Sequence, residues 1–137
     1  MTLKTTCIAT ALLLAAVAPA LAHHSFAMFA NDKTVEYKGT VKQLEWVNPH
    51  SWLHVVVMNS AGKPEEWAFE MGSPGMMAAH GWRKDSLKTG DKVTVEAHPM
   101  KDPEAAGGSE IAVVKDDGKV LSGEGKRPAK PGSAPSL

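Results

Sequence analysis

The fold this sequence predicts is mainly β: a small OB-like, partly open barrel of five to six strands, with one short helix between strands three and four. Three observations predict it. Apolar and polar residues alternate with a period of two in separate short stretches from Thr34 onward, clusters of Gly, Pro, Asn, Asp and Ser divide those stretches, and one helix signal falls after the third of them. A five-stranded Greek-key barrel has this order of elements, and near closure leaves few unpaired strand edges. The chain of 137 residues has room for one such domain.

The first strand sets Val35, Tyr37, Gly39 and Val41 on one face and Glu36, Lys38, Thr40 and Lys42 on the other. The pattern then shifts through Leu44, Trp46 and Val47, which predicts a bulge or bend. Asn48-Pro49 ends the strand, because proline lacks a donor and restricts its neighbour. A second strand over Ser51 to Met58 puts Leu53, Val55 and Val57 opposite Trp52, His54, Val56 and Met58. The turn formers from Asn59 to Pro64 make it a hairpin with a third strand, Glu65 to Met71.

Ser73 and Pro74 predict a helix start as N-cap and first helical residue, followed by Met76, Met77 and His80 and closed by Gly81. Asp85 to Asp91 reads as a polar connector. Lys92 to His98 alternates again, with Val93, Val95 and Ala97 inward. Asp102 to Ser109 has the composition of a mobile loop, Glu110 to Val114 that of a fifth strand, and Asp116 to Lys119 turns the chain back toward Val120-Leu121. Residues 123–137 carry no periodicity and read as a disordered tail.

The start of the chain reads as an export signal: Lys4 is the positive beginning, Ile8 to Val17 the apolar middle, and Ala20-Leu21-Ala22 the small-x-small cleavage site. The apolar run is shorter than the roughly 20 residues a bilayer requires. The expectation is therefore a cleaved signal over residues 1–22, a barrel domain with an N-terminal histidine segment over 23–122, and a periplasmic protein without a membrane anchor. Cleavage removes Lys4 and Cys7. The remainder has no cysteine, which excludes disulfides, thiolate metal sites and cysteine nucleophiles. Its charge is close to balance without a Lys/Arg cluster, which argues against nucleic acid as a partner.

All six histidines lie beyond the expected cleavage point. Cutting after Ala22 makes His23 the new terminus, so one residue offers a free amine and an imidazole to a single ion. His24 and a third imidazole would complete the nitrogen-rich set that Cu(II) prefers in planar geometry. His50, at the bend Asn48-Pro49-His50-Ser51-Trp52, is the candidate third ligand. His54 lies about 13 Å farther along a strand at ~3.3 Å per residue. Copper, held by His23, His24 and His50, is thus the expected cofactor. The competing reading is a frayed terminus and a histidine bonded within its own turn.

Met71, Met76 and Met77 fall near His80, and His98-Pro99-Met100 places an imidazole beside a thioether; such sets suit Cu(I), though methionine also fills cores. His80 reads equally as a helix cap and His98 as a strand-end surface residue. Among the tryptophans, Trp46 and Trp67 are expected to be buried. Trp52 and Trp82, near bends, are candidates with His54 for a groove that binds a sugar, a peptide or a periplasmic protein partner without metal. Glu65, Glu66, Glu70 and Glu96 are expected on solvated faces paired with lysines. No Gly-x-Ser-x-Gly, P-loop, His-Glu-x-x-His or Gly-x-Gly-x-x-Gly motif is present, which favours a binding module over an enzyme.

The opening His23-His24-Ser25-Phe26-Ala27-Met28-Phe29, with Gly39-Thr40-Val41 and Trp46-Val47-Asn48-Pro49-His50-Ser51-Trp52, resembles a bacterial family of small exported proteins of uncharacterised function whose mature chain opens HHSFA and carries an NPH segment. In that family an aromatic and an acid commonly follow the opening. Here Phe29 leads instead into Ala30-Asn31-Asp32. The resemblance implies export and the barrel.

Overall fold

The structure, a computed structural model, describes residues 27–123. The expected signal over 1–22, the histidines His23 and His24, and the tail beyond residue 123 lie outside the described residues.

Among the described residues, six strands and one helix follow in the expected order: β1 (Val35–Glu45), β2 (Trp52–Met58), β3 (Pro64–Glu70), α1 (Pro74–Ala79), β4 (Lys92–Pro99), β5 (Gly107–Lys115) and β6 (Val120–Ser122). Antiparallel pairing runs β3-β2-β1-β4-β5-β6, and a parallel seam of three residue pairs, Ala68↔Gly107 to Glu70↔Ser109, joins β3 to β5 and closes five strands into an OB-like barrel. β6 is an additional strand on the edge of β5.

The inward faces are those the alternation predicts. Val41, Leu53, Val55, Val93, Val95 and Ala97 are all buried in one core with Phe69 and Tyr37. The register of β1 against β2 shifts between Val41 and Gln43, so the bulge lies just ahead of the break in the apolar pattern and turns Leu44 toward the core. In the β2–β3 turn the Asn59 side chain accepts from the backbone N–H groups of Ala61 and Lys63, and Gly62 takes φ +73°.

The fifth strand begins at Gly107, three residues before the predicted start at Glu110. Composition reads a glycine pair as loop, yet the seam requires it. A Cβ on Gly107 would collide with the Ala68 carbonyl oxygen, and one on Gly108 would lie 2.5 Å from the His98 carbonyl oxygen. Glu96 also departs from expectation. It is buried, at 8% exposure, opposite Glu36 of β1 and Ala112 of β5 and beside the register shift between Glu96 and Ala97.

Helix α1 starts as the sequence predicts, with Ser73 Oγ accepting from the Met76 N–H and Pro74 in the first turn. It caps one end of the barrel. Met77 points into the core and is fully buried, and Trp82, whose backbone N–H donates to the Met77 carbonyl, packs in the same core at 1% exposure. No helix among the described residues is long and apolar enough to cross a membrane.

Candidate functional site

The end of the barrel beside α1 holds a cleft of about 280 Å³. Its walls come from six places in the sequence: the segment before β1, the bend before β2, the end of β3, the start of α1, the start of β5 and Gly123 after β6. Backbone pairing fixes the bend. The Ser51 N–H donates to the Gly72 carbonyl and the Met71 N–H to the Ser51 carbonyl, which extends the β2–β3 ladder past its last named pair, Trp52↔Glu70. The Asn48–Pro49 peptide is cis. The extended ladder brings His50 to the end of β3, where its Nδ1 pairs with Oε1 of Glu70. Glu70 is the more enclosed partner, with 13% of its side chain exposed against 38% for His50.

A carboxylate at one ring nitrogen is the kind of partner that orients a histidine whose other nitrogen serves a ligand, and here the carboxylate stands at Nδ1. The rest of the cleft wall includes Met71, Met76, the buried carboxylate Glu110 and Phe29. Phe29 is held there by a bridge to Met100, while the next residue, Ala30, donates to the Pro99 carbonyl. Among the described residues, no three His, Cys, Asp or Glu side chains converge as a complete metal site.

The methionines separate by burial. Met71 and Met77 are core residues at 4% and 0% exposure, whereas Met76 is 56% exposed and lines the cleft with His50. His80 is exposed at the C-cap of α1, and its N–H bonds the Met76 and Met77 carbonyls, so it ends the helix. His98 meets the Lys33 carbonyl through Nδ1 at 2.6 Å and ties the segment before β1 to the end of β4.

His54 lies on the outer face of the sheet. Its Nδ1 is 3.2 Å from Glu66 Oε1, and its Nε2 is 3.4 Å from Glu45 Oε1 and shielded from solvent. Glu66 also pairs with Lys42, as the expected glutamate and lysine face requires. The Lys42 hydrogen bond, more than any other contact, holds the Glu66 carboxyl below its ordinary range, and His54 adds to the effect.

The groove expected from Trp52, Trp82 and His54 loses one of its members. Trp82 is core, because the chain leaving α1 folds its indole over the barrel end; it offers no stacking face to a ligand. Trp52 is half-buried, as are Trp46 and Trp67, the last with its ring 4.7 Å from Tyr37.

Sequence reasoning found His50 but missed Glu70 as its partner. The signal was in the register: pairing the hairpin outward from the Asn59–Lys63 turn sets Trp52 opposite Glu70, two residues from His50.

No curated protein and no solved structure matches the chain. A family model does match, over residues 11–109, and the chain belongs to that family, a family of unknown function (DUF6152).

Proposed function

We propose that the protein is exported to the periplasm, is cut ahead of His23, and there binds one transition-metal ion, copper by its donor chemistry, between the new N-terminus and His50, with His24 assisting. The observation that carries this reading is the His50–Glu70 pair in the barrel-end cleft. Metal-binding histidines are typically held in this way, by a carboxylate on the nitrogen that does not face the ion. A second observation supports it: Phe29 lines the same cleft, and the six residues back to His23 reach at most about 20 Å when extended. The terminal amine, its own imidazole and His50 Nε2 form a nitrogen set suited to Cu(II).

Cu(II) titration of protein that begins at His23 tests the reading. One equivalent should bind tightly, and one extra residue ahead of His23 should weaken binding by about a hundredfold, since it removes the terminal amine from chelating position. Equal affinity in native and extended protein would show that the amine is not a ligand.

A further inference from the structure

The cleft that holds His50 also presents a sulfur. Of the three methionines around α1, Met77 is fully buried and Met71 nearly so, and both belong to the core. Met76, between the buried Met77 and the barrel-end turn, is 56% exposed and contributes to the cleft wall. The helix is held by parts that leave the Met76 side chain unused: the Ser73 cap, which takes the Met76 backbone N–H, and the buried Met77 anchor. Met76 thus lines the same cleft as an imidazole whose Nδ1 is paired with Glu70.

We infer that the same cleft binds Cu(I) through Met76 Sδ and His50 Nε2. This rests on the reading of the cleft as a copper site and adds to it the oxidation state and a ligand. Thioethers select Cu(I) over Cu(II), and imidazole accepts both, so His50 is common to the two states while Met76 serves only the reduced one. His80 sits one turn beyond Met76 but does not line the cleft. The pairing is therefore across the cleft, from α1 to the bend before β2, and not along the helix.

The test is Cu(I) competition on the full processed chain under anaerobic reducing conditions, with a coloured Cu(I) chelator as probe. Met76→Leu and His50→Ala should each weaken Cu(I) binding by about tenfold or more, while His80→Ala and Met58→Leu stay within about twofold of the parent. Met58 is the control because it is 60% exposed but lies at the far end of β2. X-ray absorption of the Cu(I) form should contain a copper–sulfur path that Met76→Leu removes. Cu(II) affinity of Met76→Leu should be unchanged, which separates this inference from the reading beneath it: loss of Cu(II) binding on N-terminal extension bears on the terminal chelate alone. Unaltered Cu(I) affinity in Met76→Leu, a copper environment without sulfur, or loss in His80→Ala instead of His50→Ala would each overturn the inference.

Discussion

Two histidines four residues apart meet glutamates in opposite ways. His50, in the bend before β2, has one nitrogen paired with Glu70 and stands at an open cleft. His54, inside β2, has a carboxylate at each nitrogen, Glu66 on one side and Glu45 on the other, and its Nε2 is closed off from solvent. The first arrangement engages one ring nitrogen at the wall of a cleft. The second ties three strands together and leaves nothing for an ion to approach. A histidine beside a glutamate is thus not by itself a metal ligand; what decides is whether the second nitrogen is accessible.

The largest expected difference between the two is in copper affinity. His50→Ala should lower Cu(II) affinity by about a hundredfold, and His54→Ala should leave it within about twofold, as read by competitive titration. Comparable losses in both variants would erase the distinction. A smaller effect is expected one step back from the ion. Glu70→Gln keeps the shape but removes the charge beside His50 Nδ1, so Cu(II) affinity should fall by about tenfold while the far-ultraviolet spectrum stays that of the parent. The smallest effect belongs to the outer face. Glu66 is held below its ordinary range in the fold, so its contribution to stability is present above its unfolded value and is lost as pH falls through the folded one. Thermal midpoints measured on acidification should therefore fall more steeply for the parent than for Glu66→Gln. Because the pair is exposed, added salt should narrow the gap.

The barrel was legible because its residues obey local rules. Val93, Val95 and Ala97 alternate inward, Ser73 and Pro74 open a helix, and Asn59 folds the hairpin, all as neighbours in sequence dictate. What escaped reading depends on residues distant in sequence. Gly107 and Gly108 look like loop until β3 and β4 are seen pressing on them. Trp82 lies beside a bend, but the space it fills is bounded by strands from both halves of the chain. The same holds at the cleft: His50 announces itself by its place after Asn48-Pro49, while Glu70 and Met76 become its neighbours only once β3 and α1 are in position.

The most direct test of the copper reading is the imidazole region of a nuclear magnetic resonance spectrum of processed protein during substoichiometric addition of Cu(II). Paramagnetic broadening should remove the ring signals of His23, His24 and His50 first and leave those of His54 sharp. Early loss of His54, or a His50 signal that persists after one equivalent, would contradict the assignment of the metal to the barrel-end cleft.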